Sequence, residues 1–144
     1  MASGNPNPNV EVLDRAYGRW IESRGRSVED WVAIASPDFQ IRSLADGHEQ
    51  GRFGAVPAGP DGLRQYLVDL VQNWIMERYE VERYIADGDQ VVAVVQTAWR
   101  HRETNKAVAC PLVDVWTFKD GQATSVLELF DTAAMVQATV PDAA

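Results

Sequence analysis

Cysteine and histidine are scarce in this sequence, and their scarcity excludes several kinds of protein. There is one cysteine, Cys110, and there are two histidines. A single cysteine cannot form an internal disulfide, and one cysteine with two histidines gives no cluster at zinc-ligand spacing. We therefore expect a reduced, cytoplasmic setting and predict that the protein binds no metal.

Long apolar runs are missing as well. No stretch approaches the roughly 18 apolar residues that a bilayer-spanning helix needs, so we predict no membrane partner. Residues 1–9 have neither the basic start nor the apolar centre of a secretory signal. We expect them to form a disordered lead-in to a single domain over residues 10–140, a size that can close its own core.

Positive charge is in deficit, with 13 Lys and Arg against 21 Asp and Glu and a formal net charge of -8. Nucleic-acid binding rests on clustered basic side chains, so we predict no nucleic-acid partner. The phosphate-binding patterns GxxxxGK[ST] and GxGxxG are also absent. We therefore expect a small, neutral, apolar or aromatic ligand and no cofactor.

The first half of the sequence has the apolar spacing of helices. One predicted helix covers residues 13–21 and ends at Gly25. A second opens with the capping-box pattern Ser27-x-x-Asp30 and closes at Pro37, and a third covers residues 63–74. The glycine-rich segment 46–54, before the third helix, could form a flap.

The second half changes to the period-two alternation of strands. A short strand is predicted at residues 39–43, before the third helix. Turns at 87–88, 103–105 and 120–121 then separate four further strands, and Asp131 is a natural N-cap for a last helical turn. The predicted segments of this four-strand antiparallel meander are 80–85, 90–99, 107–118 and 123–130. Helices followed by such a meander predict an α+β fold with the helices covering one face of the sheet.

Two carboxylates interrupt otherwise apolar strands. Asp114 alternates with Leu112, Trp116 and Phe118, and Glu128 alternates with Val126 and Phe130. An ionised carboxylate on a buried face is costly unless it is paired, so such acids are candidates for shifted pKa values and for catalysis. The alternatives are that Asp114 points outward or pairs with an arginine, and that Glu128 pairs with Arg100 or Arg102 at a dimer interface.

The element order, the segment Pro111 to Gly121 and the ending Leu127-Glu-Leu-Phe-Asp-Thr-Ala-Ala134 resemble the nuclear transport factor 2-like superfamily. Within it, the chain is similar to the SnoaL-like polyketide cyclases and the ketosteroid isomerase-related group. The resemblance covers roughly residues 10–138. It implies a cone-shaped curved sheet wrapped around N-terminal helices, an α+β roll of the cystatin-like type, and a homodimer through the sheet face.

The resemblance also implies roles for individual residues. The acid that donates a hydrogen bond to the developing oxyanion of ketosteroid isomerase falls on Asp114. That enzyme's base falls on Ser43, and its helix-one tyrosine falls near Trp20, with Tyr17 one turn earlier. In limonene epoxide hydrolase the acid of the final strand matches Glu128, and its Arg-x-Asp falls near Thr97 and Trp99. In SnoaL-like cyclases the acid matches either Glu128 or Asp131.

Further side chains are predicted to line the same pocket. His101 follows at period two from Thr97 and Trp99 and could move a proton at the wide end of the pocket. His48 is a candidate only if its loop closes over the site. Cys110 is predicted to be a buried, inert thiol. The predicted ligand-contacting residues are Trp20, Ser43, Thr97, Trp99, Trp116 and Phe130.

These observations lead to two hypotheses. In the first, the protein is a cofactor-independent isomerase or lyase, of dehydratase or cyclase type, that uses Glu128 as base and Asp114 as hydrogen-bond donor on an apolar, oxygenated small molecule. Tyr17 and His101 are auxiliary donors. In the second, the same fold binds a hydrophobic ligand or dimerises without chemistry.

Overall fold

The computed structural model describes residues 7–43 and 58–143, and the side chain of Ser43 lies outside the description. Helix α1 spans Pro8–Glu22, so it begins within the predicted lead-in 1–9. Asn7 is its N-cap and accepts a hydrogen bond from the backbone N–H of Asn9. An N-cap acceptor followed by proline in the first turn is a favourable helix start, and it explains the earlier beginning.

Helix α2 spans Val28–Ile34, and strand β1 follows at once over Ala35–Ser43. Ser27 occupies the N-cap position as predicted, but its side chain makes no capping hydrogen bond, so the capping box is not formed. The helix ends before Pro37, which lies inside β1. This proline is tolerated because β1 lies at the edge of the sheet that the described residues form, with β6 as its neighbour.

Helix α3 spans Gly59–Asn73, and strand β2 runs over Trp74–Asp87. The prediction had Trp74 in the helix and the strand beginning near Tyr79. Trp74 instead adopts an extended conformation at the C-cap of α3. Helix and strand are therefore joined with no loop between them.

The remaining elements are strands β3 (Gln90–His101), β4 (Ala107–Ala109), β5 (Leu112–Lys119) and β6 (Gln122–Phe130), followed by helix α4 (Thr132–Ala138). The predicted strand 107–118 is two strands, because Cys110 and Pro111 leave the extended pairing and separate β4 from β5. Both β4 and β5 pair antiparallel with β3. Asp131 caps α4 as predicted, accepting a hydrogen bond from the backbone N–H of Ala134.

These six strands form one sheet. Five of them lie side by side in the order β1-β6-β5-β3-β2, and the short strand β4 pairs with β3 as well. The antiparallel meander is confirmed, but β1 pairs with β6 in parallel, so the sheet is mixed. The turn between β5 and β6 has positive φ at both Asp120 and Gly121, as a tight hairpin requires. The helices and one face of the sheet enclose the hydrophobic core.

No helix among residues 7–43 and 58–143 is long and apolar enough to cross a membrane.

Candidate active site

A cavity lies between the helices and the inner face of the sheet, and its walls are largely aromatic and aliphatic. Asp114 and Glu128 are its acidic groups. No lysine, arginine or histidine from the described part of the chain lines it. The lining residues are Tyr17, Trp20, Trp31, Ile41, Leu63, Tyr66, Leu67, Leu70, Tyr79, Thr97, Trp99, Cys110, Leu112, Asp114, Trp116, Val126, Glu128, Phe130 and Met135.

Asp114 is placed in this cavity by strand alternation. It lies in the middle of β5, flanked on the same face by Leu112 and Trp116, which also line the cavity. Its exposed fraction is only 2%. The prediction of an inward-facing acid is thus correct, and the alternative of an outward-facing or arginine-paired Asp114 is not.

Glu128 faces Asp114 from the neighbouring strand. The two residues are direct partners in the antiparallel register of β5 and β6, so their side chains leave the same face of the sheet side by side. The Tyr66 hydroxyl on α3 donates a 2.7 Å hydrogen bond to Glu128 Oε1. Arg100 and Arg102 do not pair with Glu128: the first bonds to Glu77 and the second to the carbonyl of Val71.

Burial and mutual proximity raise the pKa values of both carboxyl groups. For Asp114 the larger cause is burial, followed by the charge of Glu128, and the pKa is raised well above its usual value. Burial also raises the pKa of Glu128, although the hydrogen bond from Tyr66 works against it. Two adjacent buried carboxylates repel each other, so the pair holds one proton over a range of pH in which two separate, exposed carboxyl groups would both be ionised.

The two carboxyl oxygens of Asp114 differ in their hydrogen bonds. The Tyr17 hydroxyl donates a 2.5 Å hydrogen bond to Oδ2. No protein donor among the described residues reaches Oδ1, although it is buried. Because an unpaired buried carboxyl oxygen costs free energy, Oδ1 is the atom that a shared proton or a ligand would satisfy.

Tyr17 differs from its predicted role as a ligand donor. Its hydroxyl proton goes to Asp114, and its oxygen accepts a 2.9 Å hydrogen bond from the indole N–H of Trp116. Burial and the nearby Asp114 raise the pKa of Tyr17 well above its usual value, which keeps the hydroxyl protonated. Tyr17 therefore positions Asp114 rather than presenting its own proton to a ligand.

The predicted ligand-contacting residues Trp20, Thr97, Trp99, Trp116 and Phe130 all line the cavity. The Trp116 indole stacks on Trp31 with a ring separation of 5.4 Å and an angle of 5°. The Thr97 hydroxyl donates a hydrogen bond to the backbone carbonyl of Cys110, which lies between β4 and β5. The aromatic side chains therefore form the walls of the cavity. The Thr97 hydroxyl proton is bonded to the protein backbone and is not offered to a ligand.

His101 is not brought to the cavity. It is buried at the far end of β3 against Trp74, with ring centroids 4.8 Å apart, and its Nδ1 faces Thr104. Its predicted proton-transfer role is therefore not supported by its position. The backbone of Ser43 pairs with Glu128 across β1 and β6, but the Ser43 side chain, His48 and the predicted flap 46–54 lie outside the described residues.

Sequence reasoning missed Tyr66, Tyr79 and Trp31 as members of the site. Tyr66 was visible only as one apolar position of the third helix, and the cavity contact depends on how that helix packs. Tyr79 stands just before the predicted strand 80–85, so strand alternation was not applied to it. Trp31 stood in the second helix, and its buried indole N–H has no hydrogen-bond partner among the described residues.

Cys110 and Asp131 behave as expected. Burial raises the pKa of the Cys110 thiol, which favours the unreactive protonated form. The helix-capping role of Asp131 leaves Glu128 as the cavity acid near the end of β6. Residues 7–43 and 58–143 hold no cluster of three or more histidine, cysteine or acidic side chains that could bind a metal ion.

The family model of the SnoaL-like domain matches residues 15–126. The chain belongs to this family. Curated proteins give no match to the sequence. The resemblance inferred from the motifs is thereby confirmed at the level of the family and the fold.

Solved structures agree with this fold. A protein from Jannaschia sp. CCS1, provisionally named a SnoaL-like polyketide cyclase, is 19% identical, with 99% of this chain and 100% of that chain covered and a TM-score of 0.77. TerC, crystallised with polyporic acid, is 22% identical over 92% and 98% of the two chains with a TM-score of 0.75. An NTF2-like protein of unknown function from Burkholderia pseudomallei K96243 is 18% identical over 92% and 98%, with a TM-score of 0.79.

Proposed function

We propose that this SnoaL-like protein is a cofactor-independent isomerase or lyase that acts by general acid-base catalysis on a small, apolar, oxygenated molecule. The observation that carries the proposal is the pairing of Asp114 with Glu128 inside an aromatic cavity. The environment separates their tendencies to ionise, which is how one site supplies both a base and an acid near neutral pH.

The two carboxyl groups have different roles. The Glu128 carboxylate removes a proton from the carbon next to a carbonyl group, and the electron pair of the broken C–H bond moves onto the carbonyl oxygen. Protonated Asp114 stabilises the resulting enolate through Oδ1, whose geometry is fixed by the bond from Tyr17 to Oδ2. Return of the proton to another carbon gives an isomer, and loss of a leaving group gives an elimination product.

The lining supports a neutral, apolar substrate. Its walls are aromatic and aliphatic, and no basic side chain from the described residues is present to bind a phosphate or a carboxylate. Structures with the same fold carry names of related chemistry or bind organic molecules, among them the provisional polyketide cyclase and the polyporic acid complex.

Proton abstraction can be tested before the natural substrate is known. The protein would be incubated in D2O with a panel of cyclic enolisable ketones, such as 2-cyclohexenone and 1-tetralone, and deuterium uptake at the α-carbon followed by proton NMR. Quenching of tryptophan fluorescence measures binding in the same samples. We expect exchange above the buffer rate, rising with pH as Glu128 ionises and falling where Asp114 loses its proton.

Binding without exchange is the outcome that contradicts the proposal. If ketones quench the cavity tryptophans but exchange no faster than in buffer at any pH between about 4 and 9, no base acts on the ligand. The second hypothesis, a ligand-binding module without chemistry, then becomes the better description.

We also propose a homodimer through the outer face of the sheet. Six aliphatic side chains there are only partly buried in the single chain: Val92, Val94, Val113, Val115, Leu127 and Leu129. They form a continuous patch, because Val113 pairs with both Val94 and Leu129, and Val115 pairs with both Val92 and Leu127. The patch itself carries no charged side chain, and the residues beside Leu127 and Val94 on the neighbouring strands are the basic Arg42 and Arg83. Two copies of a chain with net charge -8 repel least at a face without acidic groups at its centre.

Analytical ultracentrifugation tests the dimer. We expect the wild type to sediment as a dimer and Val113→Lys to sediment as a monomer, because the lysine places like charges in the centre of the interface. Lys119→Ala, outside the patch, serves as the control. A wild type that stays monomeric at micromolar concentration contradicts this part of the proposal.

A further inference from the structure

Tyr79 differs from the other three tyrosines of the chain. The hydroxyls of Tyr17, Tyr66 and Tyr84 each donate a hydrogen bond to a carboxylate: Asp114, Glu128 and Asp14 respectively. The Tyr79 hydroxyl makes no hydrogen bond to any described residue, although the side chain lines the cavity. It is thus a hydrogen-bond donor that the protein holds in the site without using it.

The backbone directs Tyr79 into the cavity. A β-bulge between Met76 and Arg78 changes the phase of β2, so that Tyr79 pairs with Thr97, itself a lining residue. Its ring is fixed by aromatic neighbours on two sides, 6.2 Å from Tyr17 and 6.3 Å from Trp99 between centroids. A side chain locked in this way presents its hydroxyl without a large entropic cost.

The hydroxyl lies within the electrostatic field of both cavity acids. Burial raises the pKa of Tyr79 well above its usual value, and the charges of Asp114 and Glu128 raise it further. The proton therefore stays on Tyr79 at any physiological pH, and the group acts as a donor and not as a base.

We propose that Tyr79 is a catalytic residue of this site, donating a hydrogen bond to the same substrate oxygen that Asp114 Oδ1 contacts. The inference rests on the proposed acid-base function. Tyr79 takes the donor role that the sequence alone suggested for Tyr17, whose proton is committed to Asp114. The ligand is accordingly a planar molecule whose single oxygen can accept two hydrogen bonds and gain negative charge, as in an enone, an enol or a phenol.

Phenols are direct probes of this arrangement, because a bound phenol presents one oxygen on a flat ring. The dissociation constants of a series of substituted phenols, including 4-nitrophenol, would be measured for the wild type and for Tyr79→Phe. We expect Tyr79→Phe to weaken binding by about 10- to 100-fold, the usual effect of losing one hydrogen bond to a charged or partly charged oxygen. The loss should be greatest for the phenols that carry the most negative charge on oxygen.

Tyr84→Phe is the matched control. It removes a hydroxyl from the same strand, but that hydroxyl bonds to Asp14 outside the cavity. We expect wild-type phenol affinities for this variant. A merely structural role of Tyr79 would weaken all phenols equally and lower the melting temperature, whereas loss of a ligand donor makes affinity less dependent on phenol acidity.

The ketone-exchange assay separates this inference from the proposed function. If phenol affinity depends on Tyr79 but no ketone exchanges, Tyr79 is a ligand contact and the proposed reaction is wrong. If ketones exchange and Tyr79→Phe matches the wild type in exchange rate and phenol affinity, the reaction stands and the role of Tyr79 is overturned. Failure of the folded wild type to bind any phenol also overturns it.

Discussion

Two acidic clusters in this molecule have opposite surroundings. In the first, Glu29 and Asp61 lie in the opening turns of α2 and α3 and share Arg64, with N–O distances of 2.7 and 2.5 Å. Their side chains are 69% and 95% exposed. In the second, Asp114 and Glu128 lie opposite each other in the cavity, with tyrosine hydroxyls as donors and no cation beside them among the described residues.

The surroundings reverse the direction of the pKa shift. The hydrogen bond from Arg64 lowers the pKa of Glu29, whereas burial raises the pKa of Glu128, although both residues are glutamates. An exposed ion pair contributes little to stability, because water and salt screen it. A buried acid pair without a cation costs stability when ionised, and such a cost is typical of a functional site.

The largest expected effect is on the rate of ketone exchange, which should depend on Glu128 and not on Glu29. Glu128→Gln keeps an oxygen that can accept the hydrogen bond from Tyr66, but it cannot remove a proton. We expect ketone exchange to fall by about two or more orders of magnitude, measured by NMR under saturating ketone.

Glu29→Gln is the control for this comparison, because it makes the same chemical change in the exposed cluster. It should exchange ketones at the wild-type rate. An unchanged rate in Glu128→Gln, with folding verified by circular dichroism, shows that Glu128 is not the base.

A smaller effect is expected on the pH dependence of stability. The pKa of Asp114 is raised from 3.8 in the folded protein, so its stabilising contribution is complete below that value and is lost as pH rises through the folded pKa. Asp114→Asn removes this loss while keeping an acceptor for Tyr17. We expect urea unfolding to show the variant more stable than the wild type at pH 8, by about 1–4 kcal/mol, and not at pH 4.

The decisive feature of that experiment is the pH at which the advantage of the variant disappears. If the stability of the wild type does not fall between pH 4 and pH 8, folding does not raise the pKa of Asp114. An equal gain for Asp114→Asn at both pH values would point to packing and not to titration.

The smallest effect is expected in the exposed cluster. Because the pKa of Glu29 is lowered, its contribution is present above its ordinary value and is lost as pH falls, the opposite sign to Asp114. Arg64→Ala should lower the urea midpoint only slightly at pH 7. The difference should shrink further in high salt and at low pH; a difference that persists in 1 M salt would show that Arg64 acts through packing.

The sequence predicted the elements and the main acids because their signals are local. Strand alternation places Asp114 between Leu112 and Trp116 on one face, and the same rule places Glu128 with Val126 and Phe130. Those placements hold because β5 and this part of β6 keep their alternation without interruption. The helix-capping role of Asp131 was readable for the same reason, since a cap depends on neighbouring residues only.

The prediction for His101 shows where local rules stop. Its alternation with Thr97 and Trp99 is correct, and all three are buried. The cavity ends before His101, because Trp74 packs against the imidazole at the start of β2. Alternation fixes the face of a side chain but not how far along the strand the cavity extends.

The sequence by itself determined the fold class and the face on which each acid of β5 and β6 lies, since these follow from periodicity, turns and caps. Only the tertiary structure decided that Asp114 and Glu128 are direct neighbours, that the Tyr17 proton is committed, and that a bulge before Arg78 turns Tyr79 toward the cavity. These features depend on the register between strands and on the docking of helices. Both are set by packing between residues that are distant in the chain, so the local pattern of amino acids does not predict them.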